Sequence, residues 1–457
     1  MTRHFIFAVI LASLLCVGSA TARAAEPSLS IAAFQADVTP PLGSPLCHGS
    51  IPPARKIVDP LTARGVILLT GRKPIVLCAV DWVGIGNDAN RAWRDALAEA
   101  AGTTPERVAV HTVHQHATPG CDFSVEDLLI PAGLSGEMFN VPFAREAIAR
   151  TAEAVREAVQ CPMPVTHIGL GQAVVDRVAS TRRVLGPDGK VKYKRMSTCE
   201  DDEARAATEG LIDPYLRLVS FWDGDRPLVA LMYYACHPMS DYRRGAVSTD
   251  FAGWARMLRE SALPEVAHIY FNGAGGNLAA GKYNDGAARR RFELAMRLAD
   301  AMERAWDAVE QYPIVAGDIH WKVLPVSLPL RPGWTEEQFL QVLNDPDAKR
   351  GERVWSARSL VWTRRCKRGD KIDLTCLQIG KASIIHLPGE PFVEYQLAAQ
   401  QMRPDRFVCV AGYGDYGPGY ICTAIAYGQD GYEDSRVSRV GPEVEQVLKD
   451  AIRRLLE

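Results

Sequence analysis

The chain has 457 residues, 47% of them apolar and 23% charged, with 52 basic and 54 acidic side chains and a formal net charge of −2. That is the composition of an ordinary globular protein, neither disordered nor fibrous, and it offers no global basic field for nucleic acid or anionic lipid. The length accommodates one large domain or two to three ordinary ones.

The amino terminus reads as a targeting segment. Arg3 and His4 precede an apolar run over residues 5–17, and Ala22-Arg23-Ala24 is an A-x-A cleavage site. Residues 1–24 are therefore expected to be a signal peptide and 25–457 the exported mature chain, periplasmic or extracellular. No later run reaches the roughly 18 apolar residues of a membrane helix, so no transmembrane anchor is expected. Of the eleven cysteines, the ten besides Cys16 are scattered without a C-x-x-C pair, which argues against zinc-ribbon and thioredoxin-type motifs. Cys366 and Cys376 flank a polar turn and are the first pair to test for a hairpin-spanning disulfide.

Taken in order, residues 31–34 read as a strand and Pro40-Pro41-Leu42-Gly43 as a rigid loop. Apolar runs 65–69 and 74–80 form a hairpin, and Asn87 or Asp88 caps a helix that ends at Gly102. A short strand, 107–110, then runs into His111-Thr112-Val113-His114-Gln115-His116, followed by a Thr118-Pro119-Gly120 breaker. A helix is expected over about 142–159 and a strand over 166–175, with a long polar connection over 182–210. A hairpin spans 216–222 and 227–235, then come a helix at 250–261, a strand at 268–271 and a glycine-rich turn at 272–281. A long helix covers about 287–309, strands lie within 314–329, and 331–368 reads as a basic loop-helix-loop insertion. Strands 374–379 and 383–387, a helix from 391 to 401, a strand at 406–411 and a terminal helix at 443–456 complete the chain. Mixed strands and helices with adjacent hairpins predict one large α/β domain with mixed, partly antiparallel sheets covered by helices. No internal repeat is visible.

Five stretches carry chemistry-bearing residues. On a strand end, His114 and His116 alternate to the same side, and an H-x-H on one face is half of a metal site; the competing reading is a polar strand end bonded to nearby backbone. His237 ends an apolar strand before Pro238, and Glu390 sits in a Pro388-Gly389-Glu390 turn, where the competing reading is a helix cap. Tyr420 lies in a glycine-rich loop, and Asn272-Gly273-Ala274-Gly275-Gly276-Asn277 is a turn with backbone N–H groups suited to an anion. It lacks the lysine-serine ending of a nucleotide-binding P-loop. Two imidazoles, a carboxylate and a phenol suit a borderline ion such as zinc with one open position.

These motifs resemble the catalytic N-terminal domain of the neutral/alkaline, non-lysosomal ceramidases. Asp37-Val38-Thr39-Pro40-Pro41-Leu42-Gly43 is similar to that family's D-I-T-P-P-x-G, and His114-Gln115-His116-Ala117-Thr118-Pro119-Gly120 to its H-T-H-S-G-P-G. His237 before Ser248-Thr249-Asp250, Pro388-Gly389-Glu390, Gly419-Tyr420-Ile421-Cys422-Thr423 and Tyr432-Glu433 follow in the family's order. The resemblance implies one zinc ion on His114, His237, Glu390 and Tyr420, with water completing the shell. It implies an exported, metal-dependent hydrolase cleaving an amide (N-acyl) bond. His116 is assigned oxyanion stabilisation or leaving-group protonation. Asn277 and the backbone of Gly275 and Gly276 are assigned to holding substrate, and Arg182 and Arg183 to an anionic or sugar-derived one. A small-molecule, lipid or sugar-derived substrate is expected, and no nucleic acid. The sequence departs from the family at Ala279, which stands where the glycine-rich turn carries a serine, and in having no match to the family's immunoglobulin-like domain. A divergent member lacking that serine leaves two alternatives: hydrolysis of an ester, lactone or carbohydrate bond, and a non-catalytic metal-containing binding protein.

Overall fold

The computed structural model describes residues 29–457, so the signal segment expected at 1–24 lies outside the described residues. Its architecture is the mixed α/β arrangement expected, with three principal sheets and helices packed on them.

Each principal sheet is built around the same four-stranded unit. In the first, Ser30–Asp37, Thr62–Leu69 and Ile75–Val80 run antiparallel in succession; the helix Asn87–Ala101 then crosses to Val108–Thr112, which pairs parallel to Ile75–Val80. In the second, His167–Val174, Tyr215–Asp223 and Arg226–Tyr234 are antiparallel, and Asp250–Ala262 leads to the parallel strand Ala267–Asn272. In the third, Ile319–Val326, Ile372–Ile379 and Ala382–His386 are antiparallel, and Val393–Met402 leads to the parallel strand Phe407–Ala411. Short edge strands, Met163–Pro164 and Glu310–Pro313, extend the first two sheets. The threefold repetition of this unit corrects the reading that the chain has no internal repeat. Backbone pairing repeats while side chains do not, because sheet pairing constrains which residues are buried far more than which apolar residue each one is.

The local reasons are legible in the first unit. Ile75–Val80 is buried at every position, as a strand covered on both faces must be. The helix Asn87–Ala101 buries Ala89, Trp93 and Leu97 on one stripe and ends where Gly102 adopts φ 66°. Trp93 packs edge-to-face on Trp82 at 5.6 Å.

Two local expectations are corrected. The basic segment 331–368 holds two helices, Glu336–Asn344 and Arg350–Lys367, packed on one another. Cys366 therefore lies in a helix rather than a hairpin arm, and both it and Cys376 are free thiols. Among the described residues no helix is long and apolar enough to cross a membrane.

Candidate metal centre

In every unit the third and fourth strands are parallel, so their carboxyl ends lie together, where loops of an α/β sheet gather functional groups. His114 follows the fourth strand of the first unit, His237 the third strand of the second, and Glu390 and Tyr420 the third and fourth strands of the third. The structure brings all four together with His116. His114 Nε2 is 3.3 Å from Glu390 Oε2, which is 3.0 Å from His237 Nε2, which is 3.3 Å from the Tyr420 hydroxyl. His116 Nε2 is 3.3 Å from His114 Nε2. One ring nitrogen from each of His114, His116 and His237 fits within a 4.8 Å span. His116 is partly exposed, whereas His114, His237, Glu390 and Tyr420 are buried.

The alternation argument for His114 and His116 does not describe how they meet. The strand ends at Thr112, and His114 has a left-handed backbone with φ 72°. The imidazoles converge through a strained turn instead. That turn is fixed by Gln115, whose amide donates to Asp81 Oδ1 at 2.8 Å, while Arg256 holds both oxygens of Asp81 at 3.0 and 2.8 Å. Burial alone would raise the Asp81 carboxyl, and the Arg256 guanidinium outweighs it and holds it below its usual range. Gln115 points away from the imidazoles, as period-two spacing leads one to expect, but Asp81 and Arg256 carry no sequence signal beyond being charged residues in apolar surroundings.

The protonation pattern is decided by backbone carbonyls. His114 Nδ1 donates to Val83 O. His237 Nδ1 donates to Gly275 O at 2.8 Å and lies 3.1 Å from Leu278 O. Carbonyls only accept, so each Nδ1 carries hydrogen and each ring turns its Nε2 towards Glu390 Oε2. Burial pushes His237 down to about 4 and His116 well below the usual histidine range, so both rings are neutral near pH 7. Two imidazole nitrogens and a carboxylate oxygen thus converge in a buried place, an arrangement that a bound cation would satisfy. Ligand edges of 3.0–3.3 Å also suit a tetrahedral shell with bonds of about 2.0–2.1 Å. The residues present fit a zinc-type ion.

Further groups secure the donors. Tyr413 stacks on His114 at 4.4 Å, and Tyr416, unremarked in the sequence, donates from its hydroxyl to Glu390 Oε1 at 2.6 Å. Arg182, expected to meet an anionic or sugar-derived substrate, is buried beside Tyr420. It donates from Nη1 to the Tyr420 hydroxyl at 3.0 Å and to Gly276 O at 3.3 Å, and pairs through Nε with Glu433 at 3.1 Å. Burial raises the Tyr420 phenol well above its usual range even though Arg182 acts in the opposite direction.

Three assignments are corrected. Asn277 spends its amide on Glu394 Oε2 at 2.9 Å and on the Val393 N–H at 2.9 Å, so it fastens the turn to the helix Val393–Met402 and is not free for substrate. The N–H groups of Gly275 and Gly276 are likewise taken, by Gly273 O and Pro391 O, both at 2.8 Å. Their carbonyls instead receive His237 and Arg182. Arg183 turns away into a buried network with Glu433, Asp434 and the Ala426 carbonyl. Ala279 is buried, with its backbone bridged to His237 and paired with Ser180.

No family model matches the sequence, and no curated protein matches it. Solved structures match the fold. Neutral ceramidase from Pseudomonas aeruginosa superposes with a TM-score of 0.68 at 16% identity, over 94% of this chain and 74% of that one. The fold is that of neutral ceramidase. A ceramidase complexed with C2 gives the same TM-score and identity, over 94% of this chain and 75% of its own. The neutral ceramidase likeness spans all three repeated units, which is why the ordered motifs are spread over most of the sequence.

Proposed function

We propose that this chain is an exported, zinc-dependent hydrolase of neutral ceramidase type that cleaves an amide bond of an N-acyl substrate. The observation that carries the reading is the convergence of the Nε2 atoms of His114 and His237 on Glu390 Oε2 at 3.3 and 3.0 Å, closed by the Tyr420 hydroxyl. In the proposed domain, residues 25–457, these four residues hold one ion. When bound, zinc supplies Lewis acidity and lowers the pKa of water towards ~7, the requirement for hydrolysis at neutral pH.

The chain's own residues account for the remaining work. His116 is neutral and partly exposed, with Nε2 beside His114 Nε2, so it is placed to hold or deliver a proton at the open side of the centre. Arg182 keeps a fixed positive charge against Tyr420, balanced by Glu433. The surrounding burial excludes bulk water and strengthens each of these interactions. Cleavage of a panel of N-acyl compounds, abolished by chelator and restored by zinc, tests the reading; turnover that persists in chelator overturns it.

A second reading keeps the metal and changes the bond. Ala279 has no hydroxyl to offer beside His237, so an ester, lactone or carbohydrate substrate stands as the alternative. O-acyl and glycosidic substrates in the same panel separate the two.

A further inference from the structure

Behind the Tyr416 ring lies a second polar site that the hydrolase reading does not use. Cys47 and His48 both adopt left-handed backbone, with φ 49° and 55°, an unusual pair for residues with side chains. This strained turn buries His48 against Tyr416, stacked at 5.1 Å. The ring is cradled by glycines: a Cβ on Gly84 would lie 2.9 Å from His48 Nε2, and one on Gly120 would lie 2.3 Å from its Cε1. Neither nitrogen of His48 has a hydrogen-bond partner, although the residue is only 7% exposed.

Two arginines share the cavity with it, Arg358 and Arg439. Arg439 is 4% exposed; its Nη1 donates to Gly417 O at 3.1 Å and its Nε has no partner. Arg358 lies over the Tyr416 ring at 5.5 Å. Of the carboxylates nearby, Asp122 also lines the cavity, and both it and Asp415 are engaged elsewhere. Asp415 pairs with Arg365 and accepts from the Asn87 N–H, while Asp122 accepts from the Asn87 amide and the Val125 N–H. Burial of this order leaves Asp122 raised to about 7 and, with Arg358 adding to it, Arg439 lowered to about 9. A buried guanidinium with no carboxylate bonded to it is rare and unfavourable unless a counter-charge is supplied. The cavity measures about 10 Å³, room for a single particle the size of a water molecule.

We propose that this chamber binds one small monovalent anion of the halide class, held by Arg358, Arg439 and His48. The volume rejects phosphate and sulfate; a monatomic ion needs only that the partly exposed Arg358 yield slightly, and two guanidiniums favour an anion over a neutral water. The proposed site adjoins the Tyr416 ring, on which His48 stacks at 5.1 Å and from which the His114 ring lies 5.8 Å away.

Thermal unfolding of the purified full chain in sodium chloride, sodium bromide and sodium gluconate at equal ionic strength tests the proposal. A saturable upward shift of the midpoint is expected in both halides and not in gluconate. Arg358→Gln should lose that shift while keeping the midpoint in gluconate; Arg439→Gln should lose it also. Crystals grown in bromide should show an anomalous peak between His48 and Arg439. Equal midpoints in the three salts, a halide shift that survives Arg358→Gln, or a water without anomalous signal in the chamber would overturn it. Repeating the series in chelator separates this site from the metal centre. A halide shift that persists without metal supports the chamber alone, and loss of metal binding elsewhere leaves it standing.

Discussion

The Tyr416 hydroxyl donates to Glu390 Oε1 at 2.6 Å, leaving Oε2 to face both imidazoles. A donor in that place fixes which carboxylate oxygen is offered to an ion and in which direction its lone pairs point. Removing partners of this kind typically lowers metal affinity by about 10- to 100-fold. Tyr416→Phe is therefore expected to fold, to retain the ring contacts and to bind zinc about 10- to 100-fold more weakly, as measured by competition with a chromophoric chelator.

Removing either histidine donor should empty the centre. In His114→Ala or His237→Ala, zinc content of the purified protein is expected to fall well below one per chain, and in the double variant to zero. Metal analysis reads this directly, and full occupancy in the double variant would refute the assigned shell.

His116 separates two possible donor sets. It lies within 4.8 Å of His114 and His237, yet in the proposed shell Glu390 and Tyr420 take the remaining places. If it handles protons, His116→Ala keeps its zinc and loses turnover by about 10²–10³-fold. Loss of the metal itself would make His116 a ligand.

The buried pair Asp81–Arg256, at 2.8 Å, supports the histidine turn through Gln115. Breaking one half of such a pair strands the other charge, at a cost of about 3–5 kcal/mol. Arg256→Met should lower Tm sharply and also weaken zinc binding, because Gln115 loses its anchored acceptor. Differential scanning calorimetry with and without zinc checks both effects.

Acid should destabilise the fold through histidines remote from the centre. Burial pushes His268 down to about 4, against a hydrogen bond to Leu263 O that acts in the opposite direction. With the folded value below the unfolded value of about 6.5, the unfolded chain binds more protons between these limits. Stability is complete above about pH 6.5 and declines as pH falls towards 4, by on the order of 3 kcal/mol for such a group. Urea unfolding at several pH values should show this slope, and His268→Gln should flatten it.

Much of the fold was legible because the hairpins and crossover helices announce themselves in local pattern. Apolar runs 65–69 and 74–80, the Gly102 stop and the strand before His237 all correspond to observed elements within a few residues. The threefold unit was not legible, since it resides in hydrogen-bond pairing between distant strands. In the site, His114, His237, Glu390 and Tyr420 were named by the resemblance of short motifs to those of a family, and the structure places them together. Asn277 and the Gly275 and Gly276 amides were misread because a turn rich in N–H groups looks available until its partners, Pro391 O and Glu394 among them, are known. Tyr416, Asp81 and Arg256 were missed for the converse reason: their importance comes from partners remote in sequence.

The division of the donors among three repeated units has a consequence for how the centre is acquired. His114, His237 and the pair Glu390 and Tyr420 each ride on a different unit, so no fragment containing one unit has more than part of a coordination shell. An ion held by all four donors would require the three units to be docked, and it would then act as a clasp across all three sheets. The loops within each unit remain free to drift in length and composition, provided the strand ends that carry the donors keep their places.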